Sequence, residues 1–433
     1  MQKIDLALME LLRRGLRGGE AEDPALSPEE WLRLLWKADF HKLLPLVLDQ
    51  ALRLPSLRQA AAAERAAAFA DSGKQDPASE DRPLAALQNS AVEQACRQAM
   101  QENEFLNLLL ELRAAGLEPL VVKGPVCRAL YPKPLLRPSV ADDLLIPPDQ
   151  GPASHQAMLE LGLTPDDPKA DPEGDYELSY HDLRSGLYLE LHKELFNPQD
   201  PAFQGFNRLF EGAQARAVPI MLQDVDCKTL CPRDHMLFLI LHAYKHFIHS
   251  GFGIRIVADI CLFARAHREE LDLGEIRSVC QSLRCDRFLT ALFQIGEKHL
   301  SIPAPDLYRT EQEDLEPLLA DILESGIHGQ DLDRLHSAPI TLRTVGQRGQ
   351  GRAKGSLRAA LFPPAENLKK HYPFLEKHPA LLPLAGGKRI VTYLTDRRAK
   401  NGVNPSATLR IAKERIRLLE RYGILEESSR PRE

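Results

Sequence analysis

The sequence predicts an α+β protein in which a small mixed sheet with its helices lies between N-terminal and C-terminal helical regions. Three observations lead there. The first hundred residues carry apolar side chains at helical spacing. Between 117 and 195 the apolar runs become short and end in glycine or proline, as buried strands do. After Pro232 helical spacing returns. The expected organisation is a helical region over 1–100, an α/β core over 101–225, a helical domain over 226–330, and a basic loop with a C-terminal helical extension over 331–433.

Taken in order, WLRLLWKADFHKLLPLVLDQAL (31–52) puts Trp31, Leu34, Leu35 and Ala38 on one helical face. RQAAAAERAAAFA (58–70) is rich in alanine, the strongest helix former. DSGKQDPASEDRP (71–83) has turn residues and charge without apolar period, and reads as an exposed loop. A long helix follows from Pro83 to about Ala115, closed by Gly116. LEPLVVKG (117–124) reads as a buried strand entering a turn. PVCRALYP (125–132) reads as a short helix with proline in its first turn. DDLLIPP (142–148) is a second strand, SHQAMLELGLT (154–164) a helix, and 176–195 a hairpin. RDHMLFLILHAYKHFIHSG (233–251) and IRIVADICLFARAHR (254–268) are helical, with amphipathic stretches to about 325. Residues 343–358 are rich in glycine and arginine and read as a basic loop. Residues 361–394 are punctuated by proline, and SATLRIAKERIRLLERYGIL reads as a basic amphipathic helix.

With 433 residues, the chain exceeds a typical single core. Its net charge of −6 gives no global reason to expect nucleic-acid binding, and DNA least of all. No run is apolar enough to span a membrane, and MQKIDLALMELLRRGLRGGE is too interrupted by charge to be a secretory signal. Seven cysteines without a CxxC pair argue against a disulfide framework and point to a reducing cytoplasm.

The chemistry-bearing residues cluster in the core segment. Lys123 and Gly124 close a strand before a helix, where backbone N–H groups and an ammonium can hold phosphate; an ordinary strand-to-helix turn has the same look. Arg137 precedes an acidic strand and could fork onto phosphate oxygens or simply be solvated. Asp143 and Glu190 lie on strands otherwise rich in apolar residues, and a carboxylate there needs a cation, hydrogen bonds or an exposed strand end. If the strands pair, both acids could reach one magnesium ion. Asp142 and Asp143 are adjacent and so face opposite ways, while the position that shares Asp143's face is Ala141. His242, His246 and His249 share a helix but lack the partners that would complete a zinc set.

In this order, LVVKGPVCRALYP, RPSVADDLLI and LYLELHKEL resemble the bacterial "uncharacterised nucleotidyltransferase" family, a branch of the polymerase-beta-like nucleotidyltransferases. That pattern has an apolar strand ending in Lys-Gly, a Tyr-Pro turn, an arginine four residues before Asp-x-Asp, and a later Glu-x-His. LLPLVL near 43, LILHAYKH near 239, RIVADICLF near 255 and FPPAENLKKHYPFLEKHPALLPLAGGKRI extend the likeness from about 30 to 395.

The resemblance implies that Lys123 and Gly124 contact a triphosphate, and that Arg137 sits near the phosphates or braces the acidic strand. It makes Asp143 the second acid of Asp-x-Asp and Glu190 the third carboxylate, with His192 beside it. Ala141 stands where the first metal-binding aspartate belongs. Either the site is naturally degenerate or an aspartate has been replaced. Substitution by Asp142 as a metal ligand would need a register slip that turns the strand's apolar set over. The implied chemistry is transfer of a nucleoside monophosphate, with magnesium or manganese and an NTP, ATP foremost. A nucleotide-binding scaffold or sensor without catalysis, and a phosphotransferase using the same cradle, are the competing functions. The acceptor could be a peptide, a small molecule or RNA.

Overall fold

The computed structural model describes residues 2–70, 83–309, 313–326, 332–346 and 405–425. Helices α1 (Lys3–Arg17), α2 (Pro28–Phe40), α3 (Leu44–Ala51) and α4 (Pro55–Ala70) form the N-terminal layer. In α2, Ser27 caps the first turn, and Trp31, Leu34, Leu35 and Ala38 form the buried face that the sequence predicts. Helix α5 (Pro83–Ala114) then leads into the sheet.

Seven strands form one mixed sheet: β1 (Leu120–Val122), β2 (Asp142–Leu145), β3 (Thr164–Pro165), β4 (Glu177–His181), β5 (Tyr188–His192), β6 (Val218–Leu222) and β7 (Val225–Thr229), in the order β3-β4-β5-β2-β1-β7-β6. Strand β2 runs antiparallel to β1 and parallel to β5. Every residue of β1 and β2 is buried. Short helix α6 (Gly124–Arg128) follows β1, and α7 (Gly151–Glu160) starts three residues earlier than the sequence suggests because Pro152 suits its first turn.

The β6–β7 hairpin is absent from the sequence-based expectation. It extends the sheet by pairing β7 parallel to β1. Its alternation of burial is clear in the fold, but Pro219, Asp226 and Lys228 mask it in the sequence.

Beyond the sheet come α8 (Pro232–His249), α9 (Ile254–Ala266), α10 (Leu273–Ser282), α11 (Asp286–Leu300), α12 (Glu316–Ser325), α13 (Leu332–Gly346) and α14 (Pro405–Arg421). Residues 343–346, expected to open a basic loop, are the end of α13, which is docked on α8 where Thr341 Oγ1 donates to Ile248 O at 2.7 Å. The rest of that loop and 361–394 lie outside the described residues. The basic helix α14 packs inward: Arg415 donates to both oxygens of Asp321 at 2.8 and 3.0 Å and to the Phe247 carbonyl. One continuous buried apolar cluster joins the N-terminal helices, the sheet and the later helices. Among the described residues no helix is long and apolar enough to cross a membrane.

Candidate active site

The site forms where β1 ends and β2 and β5 begin. Asp143 lies opposite Val122 on one side and Glu190 on the other. Residues paired across strands share a face, so the two carboxylates are brought together on one side of the sheet. His192, two residues after Glu190, shares that face; its Nε2 lies 3.2 Å from Asp143 Oδ1 and 3.7 Å from Glu190 Oε2. Glu177 of β4 approaches the other ring nitrogen at 3.4 Å.

Lys123 reaches the same acids. Its Nζ donates to Asp143 Oδ1 at 3.0 Å. Burial by itself would depress the ammonium, but attraction to Asp143 and Glu190 outweighs it and raises the pKa. The same balance acts on His192: burial opposes its charge, yet hydrogen bonds to Asp143 and Glu190 carry its pKa up to about 9. Glu190 moves the opposite way, held well below the usual carboxylate range by His192 and Lys123 against the effect of burial.

The Lys123 backbone is strained, with φ 57° and ψ −99°, a region that residues with side chains rarely adopt. His235 of α8 holds it there. Its Nε2 accepts the Lys123 N–H at 3.0 Å, and its Nδ1 lies 3.2 Å from Thr229 Oγ1, which donates to Val121 O at 2.7 Å. That pattern assigns the neutral ring with the proton on Nδ1, and burial keeps it neutral by lowering the pKa to about 3. Gly124 follows because β2 passes too close for a side chain: a Cβ would lie 2.7 Å from Asp142 Oδ1 and 3.3 Å from Ala141 O.

Asp142 does not join the cluster. Strand alternation turns it to the opposite face, beneath α6, where its Oδ1 is 3.7 Å from Arg128 Nη1; burial raises its pKa. The register keeps Asp143, not Asp142, opposite Glu190. Arg137 lies at the edge of the site but is held by an acid of its own. Its guanidinium forks onto Asp259 of α9 at 2.9 and 2.5 Å, Tyr131 Oη donates to the same carboxylate at 2.8 Å, and only 2 % of the arginine is exposed. The geometry makes it a brace between the β2 approach and α9. From α5, Gln98 Oε1 accepts the Ser139 N–H at 2.6 Å and fixes the same approach.

A cleft of about 260 Å³ opens onto this cluster. Lys123, Gly124, Ala141 and Glu190 border it from the sheet side, and His242, Lys245, His246 and Arg255 from α8 and α9. Thus His242 and His246 reach the cleft, whereas His249 bonds Ser250 at 3.0 Å. Arg255, Asp259, Lys245 and His235 are the residues that sequence reasoning missed. A usable signal was present in Arg255 and Asp259, two charges inside the apolar run IRIVADICLF.

Asp143, Glu190 and His192 each present a donor atom within 4.8 Å of the others. Asp143 Oδ2 is buried and has no hydrogen-bond partner among the described residues. Two carboxylates, one of them with an orphaned oxygen, fit a divalent cation, and the His192 imidazole can join them once it gives up its proton. The sequence profile of the uncharacterised nucleotidyltransferase family matches residues 27–300. No curated protein and no solved structure matches the chain. The chain belongs to the uncharacterised nucleotidyltransferase family, and a nucleotidyltransferase function follows at that level.

Proposed function

We propose that this chain is a divalent-metal-dependent nucleotidyltransferase of the polymerase-beta-like type, which moves a nucleoside monophosphate from an NTP, ATP foremost, to an acceptor hydroxyl. The pairing of Asp143 with Glu190 across β2 and β5, beside the Lys123 turn, carries this reading. In the reaction the acceptor oxygen bonds to the α-phosphorus, the bond to the bridging β-phosphate oxygen breaks, pyrophosphate leaves, and the hydroxyl proton passes to solvent.

Asp143 and Glu190 would hold magnesium or manganese, with His192 alongside. Such an ion supplies charge neutralisation at the phosphates and lowers the pKa of the acceptor hydroxyl. Lys123 is placed to exchange its bond with Asp143 for one to a phosphate oxygen. His235 and Thr229 keep the Lys123 turn in its strained shape. His192 orients Asp143, and Arg137 with Asp259 fixes the approach to β2.

Ala141 borders the cleft at the position two before Asp143 and contributes no ligand. Turnover of this chain is therefore low. The test is Ala141→Asp beside the parent chain, each given magnesium or manganese and α-labelled NTPs with candidate peptide, metabolite and RNA acceptors. A gain of about a hundredfold or more in label transfer is expected for the restored carboxylate. Equal transfer by both would remove Ala141 from the metal site. A nucleotide-binding protein without transfer is the second reading, favoured by Ala141 together with the Lys123 and His192 contacts to Asp143. Binding without transfer by either form would select it. Label moving from the γ- instead of the α-phosphate would mean phosphoryl transfer.

A further inference from the structure

The cleft has a sheet wall and a helical wall. On the sheet side stand Glu190 and Glu177 together with Lys123, and Arg137 borders it from the approach to β2; on the helical side stand Arg255 of α9 and Lys245 of α8, with His242 and His246. Arg255 is 6 % exposed. Its Nη1 donates to the Pro138 carbonyl, but among the described residues its Nε has no hydrogen-bond partner. The acid on the next turn of its own helix, Asp259, is already taken by the two-pronged bond from Arg137 and by Tyr131. Arg255 is thus a buried cation whose natural counter-charge is spent on a neighbour. Among the described residues Lys245 forms no ion pair either. A guanidinium that borders a cleft, and that no acid pairs among the described residues, is suited to an incoming anion.

We propose that Arg255 and Lys245, with Lys123 opposite, form a polyphosphate subsite that receives the β- and γ-phosphates of a nucleoside triphosphate. Naming a triphosphate rests on the nucleotidyltransferase reading; the anion subsite itself rests on the geometry of Arg255. The two walls also set the direction of the ligand. Carboxylates repel bare phosphate, so the metal-bound α-phosphate faces Glu190 and the tail lies against α8 and α9. The ammonium of Lys123 offsets the charge of Asp143, so a polyphosphate can enter before the metal does. The missing acid at Ala141 leaves this cationic wall untouched.

The full chain would be titrated calorimetrically with inorganic tripolyphosphate and with orthophosphate, in chelator and again in magnesium. Tripolyphosphate is expected to bind in chelator and orthophosphate to bind far more weakly. Arg255→Gln should weaken tripolyphosphate by about tenfold or more, with Arg255→Lys in between and Lys245→Gln losing a few-fold, about what single charge-assisted bonds contribute. Thermal melts of each variant check that it folds; should Arg255→Gln fail to fold, Arg255→Lys and Lys245→Gln decide. Unchanged affinity in folded variants, or equal binding of orthophosphate, overturns the subsite. Label transfer that does not depend on Arg255 overturns the subsite and leaves the nucleotidyltransferase reading. Tripolyphosphate binding that depends on Arg255, with no transfer by the Ala141→Asp form, does the reverse.

Discussion

Replacing His235 by phenylalanine isolates one hydrogen bond behind the active-site turn. The phenyl ring nearly preserves volume and keeps the contact with Phe263, whose ring centroid is 4.9 Å away. What it removes is the acceptor for the Lys123 N–H and the partner of Thr229 Oγ1. His235 is fully buried, so water cannot easily replace it. An orphaned buried N–H costs about 1–3 kcal/mol. The residue that loses its anchor is already strained, with φ at 57°. The turn should therefore relax as well as weaken, and Lys123 should leave Asp143.

Urea unfolding would show a lower midpoint at unchanged slope, by about 1–3 kcal/mol in stability. The pH dependence gives a second readout. Burial lowers His235 to about 3 and His41 to about 4, so the unfolded chain takes up the proton first. Their stabilisation is complete above the unfolded pKa of about 6.5 and is lost as pH falls toward the folded values, reaching about 2 kcal/mol for each by pH 5. His235→Phe should remove its own part of that acid limb, about 2 kcal/mol by pH 5. A variant as stable as the parent, with the same acid slope, would refute the account of the Lys123 turn.

Other outcomes follow from the same contacts. Asp259→Asn should destabilise by about 3–5 kcal/mol, because it leaves Arg137 buried without its counter-charge; chemical denaturation tests this, and a change under about 1 kcal/mol would contradict the brace. Gly124→Ala should cost about 1–3 kcal/mol and weaken manganese binding, since its Cβ would press on Asp142 and the start of β2; a melting curve like the parent's would argue against that close approach. In metal-free protein His192 should titrate near 9 by NMR. Its raised pKa stabilises fully below the unfolded value of about 6.5, and that stabilisation disappears as pH rises through the folded value. A His192 titration near 6.5 would mean that Asp143 and Glu190 do not hold it.

Local pattern alone determined much of this protein. Helical spacing located α2, α5, α8 and α9, and the short runs ending in Lys123-Gly124 and at Pro147 located β1 and β2. Strand alternation set Asp143 apart from Asp142 and made Ala141 the conspicuous residue, because side-chain direction along a strand is a property of the backbone. Which strand lies beside which is not a local property. The sheet order, the parallel pairing that joins Asp143 to Glu190, and the attachment of the β6–β7 hairpin to β1 depend on contacts across many tens of residues. Charge partners were the least legible of all. Arg137 reads from sequence as a phosphate contact or a brace, and only the fold brings up Asp259, 122 residues away, to take it. That choice in turn leaves Arg255 without an acid of its own among the described residues. A burial penalty is offset only by whatever charge the tertiary fold places within a few ångströms, so the fold decides which cations are spent inside the protein and which remain for a ligand.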